Sequence, residues 1–201
     1  RGLGDVYKRQ RANDELPQSS AGKTIMTTEP KFVPEKAVTI VLDGGVKMNV
    51  RLIDCVGYIV PSAIGYIENE APRMVMTPWF EEEIPFNMAA EVGTRKVITD
   101  HSTVGIVITT DGTVTDIPRQ DYQEAEERVI RELQEISKPF VVLLNSSDPT
   151  GERACAISTE ISGKYNVKCI PVNCLTLDET AITALMRSLL FEFPIQELDL
   201  Y

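Results

Sequence analysis

Residues 121–145 read DYQEAEERVIRELQEISKPFVVLLN, and this stretch decides the fold class. Its first part predicts a helix over Asp121–Ile136, because apolar side chains recur on one face and acids stand four residues before arginines on the others. The apolar positions are Ala125, Val129, Leu133 and Ile136, and the charge pairs are Glu124/Arg128 and Glu127/Arg131. After Pro139 comes the uninterrupted apolar run Phe140–Leu144, which is typical of a parallel strand covered on both faces. A helix followed by such a strand indicates an α/β protein.

The alternation of helices and strands continues on both sides of this stretch. Downstream, the sequence predicts a helix at about Glu152–Tyr165, a strand at Cys169–Val172 and a helix at Glu179–Phe193 that Pro194 ends. Upstream, the sequence predicts a hairpin, in which Asp43-Gly44-Gly45 joins the strands Val38–Leu42 and Val46–Ile53. An aperiodic stretch from Tyr58 to Pro85 follows the hairpin. A helix at Phe86–Asp100 and a buried strand at Val104–Thr109 are predicted after it. The order predicts an α/β fold with a mostly parallel sheet and an antiparallel hairpin strand.

The composition excludes several classes of protein. The chain has 201 residues, of which 43% are hydrophobic and 25% charged, as in ordinary globular proteins. Its net charge of −10 argues against binding to nucleic acid, because affinity for a phosphate backbone needs a basic face. The one histidine, His101, excludes a metal site with several histidines, and no apolar run approaches the ~20 residues that cross a bilayer. The four cysteines have no paired spacing, so we expect reduced thiols in a cytosol.

The first ten residues, Arg1–Gln10, differ from the rest of the chain. They show neither a helical nor a strand period, and the string GLGDVYKRQ resembles the translation of a sequencing-library adapter. We therefore interpret residues 1–10 as a non-native leader and leave them out of the fold prediction.

The motif Asp54-Cys55-Val56-Gly57 follows the second hairpin strand directly. Asp54 is thus predicted at the carboxyl end of a strand, where open α/β sheets bind their ligands. P-loop NTPases use a carboxylate at this place to hold Mg²⁺, usually through water, and a following glycine whose N–H meets the γ-phosphate. Asp54 and Gly57 are therefore candidate catalytic residues. The competing interpretation is an ordinary turn that ends a strand.

Two threonines precede the hairpin, Thr27 and Thr28. In NTPases of this class a threonine between the P-loop and the DxxG strand completes the Mg²⁺ shell and senses the γ-phosphate, which makes both candidates for catalysis and Thr28 for the metal. By themselves the two threonines favour the alternative interpretation, a pair that enters an extended segment before Pro30. The nearby Gly22-Lys23-Thr24 is not a P-loop, because GxxxxGK[ST] needs a glycine where Pro17 stands.

Asn145-Ser146-Ser147-Asp148 follows the buried strand, where guanine-binding proteins carry NKxD. The Asp of that motif accepts hydrogen bonds from the guanine edge, so Asp148 leaves the choice of base open. Ser146 replaces the Lys, which weakens the case for guanine. Cys174 lies where a SAK-type loop is expected, although the surrounding residues depart from that pattern. We take Asn145, Asp148 and Cys174 as the candidates for nucleotide binding.

The chain resembles the stage IV sporulation protein A family, the spore-coat morphogenetic ATPases of endospore-forming bacteria. The resemblance runs collinearly from about Arg11 to Pro194. The stretches that carry it are DELPQSSAGKTIMTTEPKFVP at 14–34, DCVGY at 54–58, PRM at 72–74, TPW at 77–79, GTRKVI at 93–98, ST at 102–103 through TTDGT at 109–113, and EAEERVI at 124–130.

The resemblance implies a P-loop NTPase fold of the GTPase-like kind over residues 11–194, with the first strand and the P-loop upstream of this sequence and therefore missing. Thr27 and Thr28 match the family's sensor threonines and Asp54 its Walker B position. It further implies that ATP, with Mg²⁺, is hydrolysed to drive polymerisation into a basement layer around the forespore, in the mother-cell cytoplasm. Residues 195–201 would begin the next domain. Without its P-loop this stretch alone is expected to be inactive.

The same resemblance implies partners. They are further copies of the chain in filaments, other coat proteins, and a small amphipathic membrane peptide that binds C-terminal regions beyond this sequence. Two other functions stay open from the residues themselves: a GTPase of the same fold, and a scaffold without enzymatic activity in which the nucleotide fold serves only for assembly.

Overall fold

The structure, a computed structural model, describes residues 30–68 and 70–193. They belong to two compact units that divide between Ser102 and Thr103. Several predictions concern residues outside this described part: the leader at 1–10, Gly22-Lys23-Thr24, Thr27 and Thr28, and the next domain at 195–201.

The described part of the first unit begins with the predicted hairpin. Strands β1 (Lys31–Val41) and β2 (Lys47–Asp54) pair antiparallel, and β1 starts earlier than predicted. A 3₁₀ turn, Asp43–Gly45, joins them. Gly44 and Gly45 have φ of 78° and 77°, a region that side chains with a Cβ rarely adopt, which explains the two glycines in the turn.

The aperiodic stretch forms only short strand pairs before the next helix. β3 (Ile67–Glu68) pairs with β4 (Ala71–Pro72), and β5 (Met74–Val75) pairs with β6 (Ile84–Pro85). Helix α1 (Phe86–Lys96) follows and continues as a π-helical turn, Val97–His101, close to the predicted end. Phe86 is fully buried beneath the guanidinium of Arg73, which lies 4.3 Å from the ring centroid and donates to the Gly65 carbonyl at 3.0 Å.

The second unit is an alternation of strands and helices. Its elements are β7 (Gly105–Thr110), α2 (Arg119–Glu135), β8 (Phe140–Asn145), α3 (Glu152–Tyr165), β9 (Cys169–Val172) and α4 (Glu179–Leu190). The three strands form a parallel sheet in the order β7-β8-β9. β8 is the central strand, and its residues Phe140–Leu144 are all buried, as the apolar run predicts. The last helix ends at Leu190, three residues before the predicted Phe193.

The buried face of α2 differs from the prediction. Ile130 and Leu133 are buried, whereas Ile136, expected in the core, is 43% exposed. Ile136 lies past the last residue of α2, at its C-cap, and a buried position of the helix is taken instead by Glu126, whose carboxylate oxygens both contact the guanidinium of Arg119, at 2.7 and 2.8 Å. A paired carboxylate thus occupies the buried face, and that face is rotated by one residue from the apolar pattern.

The expectation that the hairpin adds a strand to the parallel sheet is not met within the described residues. There β1 and β2 pair only with each other, and β7 pairs only with β8. β7 is also less buried than predicted, since Ile108 is 63% exposed.

Replacing Ile130 by Ala tests this assignment of the core. Ile130 has no exposed surface, so the variant should lose about 2–5 kcal/mol of unfolding free energy. The matched control is Ile136→Ala in the residue that follows α2, where the loss should stay below about 1 kcal/mol. Urea unfolding monitored by circular dichroism measures both, and equal losses would contradict the burial described here.

Candidate functional site

Polar side chains of the second unit stand in the loops at the carboxyl ends of its three parallel strands. β7 is followed by Asp111, β8 ends at Asn145 and is followed by Ser146, and β9 is followed by Asn173 and Cys174. Because parallel strands end at the same edge of a sheet, these loops lie side by side, as in ligand sites of open α/β sheets.

Asn145 links the loops after β7 and β9. Its side-chain Oδ1 accepts a hydrogen bond from the Cys174 N–H at 3.0 Å, and its carbonyl accepts one from the Asp111 N–H at 3.3 Å. The structure therefore brings together Asn145 and Cys174, two of the residues predicted to bind nucleotide. The thiol of Cys174 is half-buried, and this burial raises its pKa, so the sulfur is neutral at physiological pH.

Asp148 lies on the same loop with its carboxylate against the start of α3. The carboxylate accepts a hydrogen bond from the Thr150 hydroxyl at 3.2 Å, and the Asp148 carbonyl accepts from the Gly151 N–H at 3.1 Å. A Cβ at position 151 would stand 2.5 Å from Oδ2 of Asp148, so glycine is needed for this approach. A negative charge at a helix N-terminus is favourable, and the arrangement holds Asp148 in one place.

Asp111 is a residue of this loop cluster that the sequence interpretation did not single out. Its side chain is 1% exposed and accepts hydrogen bonds from Thr113 and from the Ser146 hydroxyl. Burial raises the pKa of this carboxyl, but the hydrogen bonds from Thr113 and Ser146 and the positive charge of Arg153 outweigh it, and the net shift is downward. The signal in the sequence was an acid directly after a buried strand.

Asp54 and Gly57, the predicted DxxG residues, belong to the first unit. Asp54 is the last residue of β2, as predicted, and is half-buried, which raises the pKa of its carboxyl. Gly57 has φ of 78°, and a Cβ there would meet no atom within 4 Å. Backbone conformation, rather than lack of space, is therefore what requires glycine at this position.

Thr94 of α1 binds the backbone of Gly57. Its Oγ1 accepts a hydrogen bond from the Gly57 N–H at 3.1 Å and donates one to the Gly57 carbonyl at 3.3 Å. Thr94 is 3% exposed, so its hydroxyl replaces water for both polar groups. The N–H that the DxxG motif assigns to a γ-phosphate is thus already bonded to a side chain.

The donor set suits Mg²⁺ bound together with phosphate. Within residues 30–68 and 70–193, no three histidine, cysteine or acidic side chains gather as a metal centre built by protein alone requires. Mg²⁺ in NTPases keeps several waters and takes one or two carboxylates besides the phosphates. A single half-buried carboxylate such as Asp54 fits that chemistry, and Thr28, the second predicted ligand, lies outside the described residues.

Comparison with known proteins identifies the family. The profile of the ATPase domain of stage IV sporulation protein A matches residues 2–194. The chain belongs to the stage IV sporulation protein A family. It is 54% identical over 191 residues to stage IV sporulation protein A of Bacillus anthracis, 53% over 197 residues to that of Bacillus subtilis (strain 168), and 48% over 196 residues to that of Clostridioides difficile (strain 630). The predicted resemblance is confirmed.

These alignments cover 95–98% of the chain but only 39–40% of each relative, so the chain spans about two fifths of the length of the curated proteins that it matches. No solved structure matches it. The matched range also includes residues 2–10, interpreted above as a leader, and that interpretation stays a prediction.

Two further expectations can be compared with the structure. All four cysteines are free thiols, as their spacing predicts. In the described part of this family member, no helix combines the length and the apolar character needed to cross a membrane.

Replacing Asp54 by Asn should raise the melting temperature at pH 7. Burial disfavours the charged carboxylate in the folded state, so its folded pKa lies above the unfolded value, and the ionised group costs stability at pH 7. The gain should shrink as the pH falls through the folded pKa toward about 4, because protonation then removes the charge from the folded state and increasingly from the unfolded state. Thermal melts from pH 4 to 8 measure it, with the exposed Asp100→Asn as control. A variant that melts lower at pH 7 would contradict this account.

Removing the Thr94 hydroxyl should destabilise the chain. Thr94→Val keeps the shape but leaves the Gly57 N–H and carbonyl unpaired, which costs about 1–3 kcal/mol. Thr94→Ser keeps the hydroxyl and serves as the control, with a smaller loss. Chemical denaturation compares the two, and equal stability of the Val variant and the wild type would exclude the Thr94–Gly57 contact as a stabilising one.

Proposed function

We propose that the chain is the nucleotide-binding and ATP-hydrolysing part of a sporulation protein. The observation that carries this proposal is the match of the ATPase domain of stage IV sporulation protein A to residues 2–194. Two features of the structure support it: a carboxylate at the end of β2 with a positive-φ glycine three residues later, and polar loops at the carboxyl ends of three parallel strands. We assign to it the P-loop NTPase fold of the GTPase-like kind.

The residues of the DxxG motif would serve phosphoryl transfer. Asp54 would hold Mg²⁺ through its water shell, and Thr27 and Thr28 would complete that shell and bind the γ-phosphate. When bound, Mg²⁺ neutralises charge that builds on the phosphates during attack by an in-line water. Gly57 would give its N–H to the γ-phosphate, for which it must leave the Thr94 hydroxyl that now holds it at 3.1 Å.

In this proposal the bound base is adenine, so the nucleotide is ATP. Ser146 stands where guanine-binding proteins have a lysine, and its buried hydroxyl is engaged with Asp111 at 2.7 Å. Ser146 therefore does not supply the positive charge that the lysine offers to a base. The second candidate, a GTPase, is favoured by one observation only, the carboxylate of Asp148, whose acceptor oxygens suit the guanine edge.

For the whole protein we propose a role in assembly. ATP hydrolysis would drive polymerisation into the basement layer of the spore coat, in the mother-cell cytoplasm at the outer surface of the forespore. Other coat proteins and a small amphipathic membrane peptide would bind through regions beyond this sequence, and the net charge of −10 makes nucleic acid an unsuitable partner. A scaffold without hydrolysis is the remaining alternative.

One experiment separates these functions. The complete gene product that contains this sequence is assayed for phosphate release from ATP and from GTP, with Mg²⁺ and with EDTA, beside its Asp54→Ala variant. Polymer formation is followed by sedimentation in the same samples. Mg²⁺-dependent release from ATP that Asp54→Ala abolishes supports the proposal, preference for GTP supports the GTPase, and polymer formation without release from either nucleotide supports the scaffold.

Replacing Thr27 and Thr28 together by Ala should lower turnover more than binding. A contact made in the transition state affects kcat and leaves ground-state affinity nearly unchanged. We expect kcat for ATP to fall at least about tenfold while the Kd for ATP changes by less than about threefold. Unchanged turnover with weaker ATP binding would instead assign the two threonines a ground-state role.

A further inference from the structure

We propose that Asp111 is the positioning residue of the loop that binds the purine base. The inference rests on the proposed nucleotide site and names the side chain that fixes the geometry of residues 146–148, the loop after β8. Asp111 stands on the neighbouring loop, after β7, and acts on this loop through two hydroxyl groups.

Each carboxylate oxygen of Asp111 holds one hydroxyl, and each hydroxyl holds one backbone N–H. Oδ2 accepts from the Ser146 hydroxyl at 2.7 Å, and that hydroxyl accepts from the Asp148 N–H at 3.0 Å. Oδ1 accepts from the Thr113 hydroxyl at 2.6 Å, and that hydroxyl accepts from the Ser147 N–H at 2.9 Å. Two successive amides of the loop are therefore bonded to one buried carboxylate, each through a single hydroxyl.

The charge of Asp111 sets the direction of these bonds. An ionised carboxylate only accepts, so both hydroxyls must donate to it and present their lone pairs to the loop amides. The Asp111–Ser146 half of this arrangement is shielded from water, because both residues are 1% exposed, whereas Thr113 and Ser147 lie at the surface. On the other side, Arg153 donates to the Asp111 carbonyl from Nη2 at 2.7 Å and from Nε at 3.1 Å, which fixes the backbone that carries the carboxylate.

This arrangement accounts for the serine at position 146. A lysine there could not accept a hydrogen bond from the Asp148 N–H, whereas a hydroxyl both donates and accepts. Asp148 carries the carboxylate of this loop, and besides the bond from Thr150 its oxygens can accept a hydrogen bond from an amino group of a base. Its position depends on its own N–H bond to Ser146, and through Ser146 on Asp111.

A residue that positions the base loop should affect nucleotide affinity and leave the phosphate chemistry intact. The bonds of Asp111 end at residues 146–148, and the DxxG residues that serve phosphoryl transfer lie in the other unit. Loss of this relay, the two hydrogen-bonded chains from Asp111 through the Ser146 and Thr113 hydroxyls, should therefore raise KM for ATP at unchanged kcat. The affinity for a ligand made only of phosphates should stay the same.

The test compares variants of the complete gene product. Asp111→Asn places a donor against the Ser146 hydroxyl, and Ser146→Ala removes that hydroxyl. Ser146→Thr restores it, and Thr159→Ala, which removes an exposed hydroxyl from α3, is the control. The measurements are kcat and KM for ATP, the Kd of a fluorescent adenine nucleotide, inhibition by inorganic tripolyphosphate, and the melting temperature of each variant.

We expect Asp111→Asn and Ser146→Ala to raise KM and Kd roughly tenfold, the factor that corresponds to one hydrogen bond, with kcat within about twofold of wild type. Inhibition by tripolyphosphate should not change, and Ser146→Thr should restore KM. Should Asp111→Asn fail to fold, Ser146→Ala with its Thr rescue carries the test.

Unchanged KM and Kd in both variants would overturn the inference, and so would a fall in kcat accompanied by weaker inhibition by tripolyphosphate, since that indicates general damage. Failure of the proposed function has a different signature. The wild-type protein would then neither bind the adenine nucleotide nor hydrolyse ATP, and the inference would fall with it.

Discussion

The burial of β8 on both faces is the constraint on which the second unit depends. Val141, Val142 and Leu144 have no exposed surface, so this strand must lie between β7 and β9 and under helices. The carboxyl end of β8 lies beside the ends of β7 and β9. The backbone groups that follow these strand ends are no longer paired by the hydrogen bonds of the sheet. Asn145 and Ser146 satisfy those groups with side-chain oxygens, and Asp111 anchors the second of them. The same polar cluster that closes the core also forms the loops proposed to bind nucleotide.

Elements whose pattern is local were predictable from the sequence. The bounds of α3 and β9 agree with the prediction, and the hairpin turn was evident from Gly44 and Gly45, because positive φ is a property of single residues. The buried pair of Arg119 and Glu126 was not predictable, because an acid on a helix is expected to be exposed unless its ionic partner is known. An apolar count alone also assigns Ile136 to the core, whereas it lies past the end of α2 and Glu126 is buried on the helix.

The residues of the candidate site fall into the same two groups, those with a local signal in the sequence and those that depend on distant contacts. Asp54 was placed correctly at the end of β2, because a polar residue after an apolar run marks a strand end. Asp111 has the same signal after β7, but its meaning lies in contacts to Ser146, 35 residues away in the chain. Thr94 is further removed still: its hydroxyl bonds Gly57 across 37 residues, and nothing near either residue in the sequence indicates the pairing. Spacing therefore predicts which loops at strand ends are candidates for function, whereas the side chains that hold those loops emerge only from the fold.

The contact of Thr94 with Gly57 bears on how a nucleotide could change this chain. A glycine N–H that pointed into solvent would give up water to bind phosphate, whereas here it must give up a buried hydroxyl. The exchange replaces one hydrogen bond by another, so its free-energy difference is the excess strength of a charge-assisted bond over a neutral one. Each state then satisfies the same N–H, and neither leaves it buried and unpaired. Under the proposed function, a single phosphate group would therefore shift the Gly57 N–H from one partner to the other, which is the property that hydrolysis-driven assembly requires.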